Sequence, residues 1–166
     1  MNYIFLDVDG VLNNKKHYKK QHKKYGGRFF MEAMPFNPRS LKNLHKILKA
    51  TDAKLILSSS WRGSDRCMIV LKARLAEYGI KISDQTDFID GKRGIEINKW
   101  LQEKGMKRII YADNKPIEVL DCNYIIIDDE DYDLIDCGFE SKMIKINSYV
   151  GLTWSKTREA IKKLRR

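Results

Sequence analysis

The chain has 166 residues, 43% of them hydrophobic and 33% charged, enough to bury about two-thirds of its unfolded surface as one domain. This composition excludes a disordered chain or a small disulfide-dependent scaffold. Its 32 Lys and Arg against 22 Asp and Glu give a formal charge of +10, which suggests a polyanionic partner such as nucleic acid or an anionic membrane surface.

Taken in chain order, apolar runs of strand length alternate with helical periodicity, the pattern of an α/β domain with a mostly parallel sheet. Residues 3–6 predict the first strand. Only four apolar residues precede Asp7 and Asp9, too few for a signal-peptide core. Residues 14–37 form a basic insertion with no apolar period before Phe29-Phe30. A helix is expected from Pro38, burying Leu41, Leu44, Ile47 and Leu48. Residues 54–57 read as a buried second strand. After Ser58-Ser59-Ser60-Trp61-Arg62-Gly63, Ser64 can cap a helix carrying Met68, Leu71, Leu75 and Tyr78, with Gly79 as its stop. Residues 94–104 predict a helix packing Ile97, Trp100 and Leu101. Residues 108–111 and 124–127 read as strands, and 143–146 as a short edge strand. Thr153 caps a last helix with Trp154, Ile161 and Leu164 on one face. No internal repeat or linker divides residues 1–166, so a single domain is expected. Cys67, Cys122 and Cys137 fit no zinc spacing and are odd in number, so a reducing, cytoplasmic location is expected. No uncharged apolar run approaches the roughly 20 residues of a membrane helix, and no membrane or obligate protein partner is expected.

Ligands of a parallel α/β sheet bind outside the carboxyl ends of its strands, and the acids of this chain collect there. Asp7 and Asp9 follow the first strand, and alternation in an extended segment can present both to one side. Gly10 then allows a sharp turn. Ser58 to Ser60 follow the second strand, and Asp128 and Asp129 follow residues 124–127. Carboxylates gathered in one pocket repel one another, and a hard divalent cation such as Mg²⁺, with oxygen ligands, offsets that repulsion. The acids at 131 and 133 read as a solvated loop. His17, His22 and His45 are too scattered for a metal site, and Trp61 and Trp100 read as core.

Asp7-Val8-Asp9-Gly10-Val11-Leu12-Asn13 resembles the first motif of the haloacid dehalogenase-like (HAD) superfamily of aspartyl phosphatases. Residues 55–62, the Arg-Gly-x-Glu-Ile-x-x-Trp-Leu stretch at 93–101, the strand ending in Asp128-Asp129 and Gly151-Leu152-Thr153 resemble the HAD domains of "Swiss Army knife" RNA-repair proteins. The resemblance implies a Rossmannoid three-layer sandwich with a mostly parallel central sheet and a minimal cap. It implies Asp7 as nucleophile and Asp9 as general acid and base, a carboxylate that suits phosphatase rather than dehalogenase chemistry. Mg²⁺ would be held by Asp7, the Asp9 backbone carbonyl and Asp129, with Asp128 beside it. Ser59, or alternatively Ser58, would bind phosphate with neighbouring backbone N–H groups, including that of Ser60. Lys92 or Arg93 would supply a cation near the nucleophile. Arg62 is balanced between a phosphate contact and a structural ion pair. Asp113-Asn114, ending the run at 109–112, is the rival to Asp128 and Asp129.

Neither cap position, about 24 residues after the first strand nor the stretch at 79–92, can build a globular lid, and an open site suits the end of a macromolecule. Residues 15–28 hold seven Lys or Arg and no acid, for +7. Residues 156–166 hold six and one, for +5, leaving 19 basic against 21 acidic elsewhere, or −2. Lys15, Lys16, Lys19, Lys20, Lys23 and Lys24 would then guide a polyanion toward Asp7. The expected activity is Mg²⁺-dependent phosphomonoester hydrolysis at an RNA or DNA end, a nucleotide or a similar polyanion. The alternatives are a phosphoserine or phosphotyrosine phosphatase and a catalytically idle nucleic-acid-binding module.

Overall fold

The computed structural model describes residues 1–26, 35–112 and 115–165. In chain order its elements are β1 (Asn2–Leu6), α1 (Lys15–Tyr25), α2 (Pro38–Thr51), β2 (Lys54–Leu57), a 3₁₀ turn (Ser60–Gly63), α3 (Asp65–Ala76) and β3 (Ile82–Gln85). There follow α4 (Arg93–Glu103), β4 (Lys107–Ala112), β5 (Lys115–Leu120), β6 (Asn123–Asp128), a 3₁₀ turn (Glu140–Lys142), β7 (Met143–Lys145) and α5 (Trp154–Leu164). Five strands form a sheet of order β3-β2-β1-β6-β7, and each neighbouring pair is parallel.

The near-continuous apolar strands follow from burial on both faces. Ile4, Leu6, Leu55, Leu57, Ile125 and Ile127 share one core with Leu41, Leu44 and Ile47 of α2, Leu71 and Leu75 of α3, and Ala160 and Leu164 of α5. Tyr3, Phe5, Ile56, Tyr124 and Ile126 meet Ile97, Trp100 and Leu101 of α4 on the other face, where the Trp100 ring stands edge-on to Tyr3 and Phe5 at 5.3 Å from each. The chain is thus a three-layer α/β sandwich around a parallel five-stranded sheet, as the sequence leads one to expect. Because the strands are parallel, their carboxyl ends share one edge. The ladder continues past them: Asp7 N–H donates to Ile127 O at 3.0 Å and Ser58 N–H to Leu6 O at 3.0 Å. Asp7, Ser58 and the residues after β6 therefore arrive at one place.

Four features depart from the sequence expectations. Residues 108–111 do lie in a strand, but β4 pairs antiparallel with β5 in a separate hairpin, and β3, which was not expected, takes the sheet edge beside β2. The hairpin's apolar side chains Ile109, Tyr111 and Ile117 are exposed, so its hydrophobicity does not report burial in the sheet. The basic insertion contains an 11-residue helix, α1, with no buried residue, which no apolar period could reveal. It is held at its N-terminal end instead: Asn14 Oδ1 accepts from His17 N–H at 2.9 Å, and the N–H groups of Lys15 and Lys16 donate to the carbonyls of Ser148 and Tyr149. Trp154 is 53% exposed, whereas Leu164 is buried and Ile161 packs against the same core as expected, joined by Thr157 and Ala160. Asp133, expected in solvent, caps α4 as described below. Asp113 and Asn114 lie outside the described residues.

Candidate active site

Asp7, on the first residue past β1, is 5% exposed. Arg93 Nη2 donates to its Oδ1 at 3.3 Å, and the same guanidinium places Nε 3.5 Å from Asp128 Oδ2. Lys92 is exposed and precedes the helix, so of the two candidate cations it is Arg93 that the fold turns inward. Asp7, Asp128 and Asp129 each bring a carboxylate oxygen within 4.8 Å of the others. Burial and the neighbouring Asp128 charge push the Asp7 acid up to about 8, against the opposing pull of Arg93 and a hydrogen bond with Ser59. Burial likewise raises Asp128, to about 6, and Asp129. Of the three serines, Ser59 is the one that reaches Asp7; Ser58 and Ser59 are both fully buried, and Ser60 is exposed at the start of its 3₁₀ turn.

Asp9 is fixed from two sides. Asn13 Nδ2 donates to its Oδ1 at 2.7 Å and the indole Nε1 of Trp61 to its Oδ2 at 2.9 Å. Trp61 is 1% exposed and stands edge-on to Phe36, so it is a core residue that also orients an acid. Nothing in the sequence distinguished that second role. Gly10 has φ +70°, and a Cβ there would fall on the Asp129 carboxylate; only glycine lets that carboxylate close over the turn. Arg62 is committed elsewhere: Nη1 donates to Ser59 O and Nη2 to Asp87 O and the Glu96 carboxylate. Its side chain is 4% exposed and that of Glu96 is 1%. The geometry gives Arg62 the structural ion pair of its two readings.

Arg93 is aimed by the residues around it. Asp133 Oδ1 accepts from Gly94 N–H at 2.7 Å and Oδ2 from Ile95 N–H at 3.1 Å, satisfying the first turn of α4 from outside the helix. A Cβ on Gly94 would lie 2.7 Å from Cys137 Sγ and 2.9 Å from Asp133 O, so the glycine permits the loop after β6 to close on the helix. Glu96, one turn on, also accepts from Ile89 N–H at 3.0 Å. A model of the HAD domain in Swiss Army Knife RNA repair proteins matches residues 3–157. The chain belongs to this family. No curated protein matches it.

Membership in this HAD family points to hydrolase chemistry of the phosphatase type. It also makes sense of Gly151-Leu152-Thr153. Gly151, at φ +74°, sits where a Cβ would be 2.8 Å from Val11 O and 2.9 Å from Ser40 Oγ. Leu152 N–H donates to Val11 O at 3.0 Å, Asn43 Nδ2 to Leu152 O at 2.9 Å, and Thr153 Oγ1 accepts from Lys156 N–H. These three residues tie the first loop of the HAD site to α2 and α5.

The acidic cluster can hold a hard cation. Its donors are all carboxylate oxygens, Asp128 Oδ2 is buried without a hydrogen-bond partner among the described residues, and the raised acids mark charge in need of compensation. A cavity of about 390 Å³ opens beside it, lined by Asp9, Asp129 and Ser148 and by Lys15, Tyr18 and Lys19 of α1. Lys16 and Lys20 face away, into a different groove. Lys23 and Lys24 are exposed near the far end of α1. No helix among the described residues is long and apolar enough to cross a membrane.

Proposed function

We propose that the protein is a Mg²⁺-dependent phosphomonoesterase working through an aspartyl-phosphate, with a nucleic-acid end, a nucleotide or a similar polyanionic phosphate as substrate. The observation that carries this reading is the convergence of Arg93, Ser59, Asp128 and Asp129 on Asp7, with the carboxylate of Asp9 held two residues away. Asp7, Asp128, Asp129 and the Asp9 backbone carbonyl are the groups that would hold the ion. When bound, Mg²⁺ supplies positive charge that keeps Asp7 ionised and offsets charge on the phosphoryl oxygens.

An oxygen of Asp7 attacks phosphorus, and the bond from phosphorus to the leaving oxygen breaks as Asp9 delivers its proton to that oxygen. Water then attacks the phosphoryl group and gives a proton to the Asp9 carboxylate. The phosphorus–oxygen bond to Asp7 breaks, inorganic phosphate departs and both acids return to their starting states. Arg93 and Ser59 orient Asp7 and the phosphate, and Trp61 and Asn13 keep Asp9 from rotating away. Lys15 and Lys19 at the rim favour substrates that carry charge beyond the scissile phosphate. A generic aryl phosphate assay with and without Mg²⁺ tests the chemistry. Wild type is expected to turn over only with the metal and Asp7→Asn to lose activity; equal rates for the two proteins refute the reading. Oligonucleotides phosphorylated at the 3′ or 5′ end, run beside phosphopeptides, then rank the substrate classes.

A further inference from the structure

A second cavity, larger than the catalytic one at about 1000 Å³, runs between α1, α2 and the start of α5. Its charge is one-sided. Lys16 and Lys20, four apart on α1, face Arg39, Lys42 and Lys46, spaced by three and four on α2, and no Asp or Glu among the described residues lines it. Like charges at such spacings destabilise a helix, and among the described residues none of these five cations has a carboxylate partner. The capping residues of α1, α2 and α5, namely Asn14, Asn37 and Thr153, line the same groove, so three helix N-termini add their positive ends to it. Trp154, half exposed at one wall, carries the Lys46 ammonium 4.7 Å from its ring centroid. By contrast, Lys156 and Lys163 on α5 are ion-paired with Glu159, so the excess charge is not uniform over the surface.

We propose that this groove binds the sugar-phosphate backbone of single-stranded nucleic acid outside the catalytic cavity, with phosphates against Lys16, Lys20, Arg39, Lys42 and Lys46 and a base stacked on Trp154. A concave track of unpaired cations beside an exposed indole is how single strands are held without sequence preference. A bilayer, by contrast, is met by a flat or convex face carrying several apolar side chains. Asn14 lines both cavities, and α1 stands between them with Lys15 and Lys19 on one side and Lys16 and Lys20 on the other. A strand seated in the groove therefore lies one helix away from the cavity that Asp9 and Asp129 line, although its binding does not depend on the phosphatase reading.

The test is equilibrium binding of a fluorescent single-stranded oligonucleotide of about 10 nucleotides, hydroxyl at both ends, to the Asp7→Asn protein. It is repeated with Arg39→Gln, Lys42→Gln and Lys46→Gln added, over a series of salt concentrations. Each phosphate contact in a single strand contributes about 0.7 to the slope of log affinity against log salt. The triple change is expected to weaken binding at least tenfold and to lower that slope by about 2. Trp154→Ala is expected to weaken binding about tenfold with the slope unchanged. Circular dichroism melts check that each variant is folded. In the otherwise wild-type enzyme, the triple change is expected to leave aryl phosphate turnover as it was. Unchanged affinity and slope overturn the proposal. So does displacement of the oligonucleotide by phosphatidylserine vesicles that bind more tightly through the same residues, which would make the groove a membrane contact. Absence of aryl phosphatase activity in the wild type would refute the catalytic reading alone.

Discussion

Glu96→Gln should separate a bracing role for Arg62 from a phosphate-binding one. The Arg62 and Glu96 side chains are 4% and 1% exposed, so the substitution leaves a guanidinium buried without its counter-charge. Removing one partner of such a pair costs about 3–5 kcal/mol. For a chain of this size, with roughly 2–4 °C per kcal/mol, the melting temperature should fall by about 6–20 °C. The glutamine carbonyl can still accept from Ile89 N–H, which confines the loss mainly to the ion pair. Replacing both partners, as Arg62→Met with Glu96→Leu, should recover a large part of that loss, with a coupling of about 2–3 kcal/mol in a double-mutant cycle read by urea denaturation. The recovery is incomplete because Ser59 O and Asp87 O lose the donors that Arg62 gave them. Activity should follow position: Ser59 and Arg93 sit at the two ends of the brace, so Glu96→Gln should lower kcat/KM although Glu96 touches no substrate. The reasoning fails if Glu96→Gln melts like wild type while Arg62→Met raises KM for several small phosphate esters about tenfold without loss of stability, a difference of ~1.4 kcal/mol in binding.

Asp133→Ala should cost about 1 kcal/mol, since two N–H groups of the first turn of α4 lose their acceptor, and should lower aryl phosphate turnover by loosening Arg93; a thermal melt and a rate assay read the two effects. Gly151→Ala should cost more than about 1 kcal/mol, because φ is +74° and the new Cβ falls on Val11 O, and unchanged denaturant stability would contradict that placement. Stability of the metal-free protein should fall as pH rises. The Asp7 and Asp128 acids are raised in the fold from 3.8 to about 8 and about 6, so the stability they contribute is complete below about pH 4 and is lost as pH climbs through 6 to 8. Burial lowers His17 and works in the opposite direction near its usual value, so the informative comparison is with Asp7→Asn. That variant should show a flatter melting profile over this window, and added Mg²⁺ should stabilise the wild type more at pH 8 than at pH 5.

The sequence revealed those parts of the fold whose residues are chosen by burial on a fixed period. The strands β1, β2, β6 and β7 and the helices α2 to α5 all carry apolar side chains at the spacing their geometry demands, and helix starts were readable at Pro38, whose ring suits a first helical position, and at Ser64 and Thr153, because few residue types can satisfy free N–H groups. The edge strand β3 was not readable: Ser83 and Gln85 face water and the strand is only four residues long. Nor was α1, which buries nothing and owes its position to the carbonyls of Ser148 and Tyr149, residues more than 120 positions away. The β4 strand misled in the opposite sense, since Ile109 and Ile110 are apolar yet exposed. At the site, Asp7, Asp9, the run Ser58 to Ser60, Asp128 and Asp129 could be named because they lie at strands whose ends are predictable, and the family resemblance favoured Ser59 within that run. The choice between Lys92 and Arg93 could not be made, because one residue of helix phase decides which side chain points inward.

The motif residues that seemed least chemical turn out to do the positioning. Within the Arg-Gly-x-Glu stretch only Arg93 reaches Asp7. Gly94 leaves room for Cys137 and Asp133, whose carboxylate ends the helix at that point, and Glu96 ties the same helix through Arg62 to the Ser59 carbonyl. A buried arginine beside two carboxylates is tolerable only when its direction is fixed, because a rotated guanidinium would leave Asp7 and Asp128 to repel one another unopposed. The same logic applies to Trp61, whose buried ring fills the core while its single N–H holds Asp9. Substituting such residues should therefore disturb stability and turnover together, whereas Lys16, Lys20 and Arg39, whose side chains form no ion pair among the described residues, can be changed for their effect on a polyanion alone.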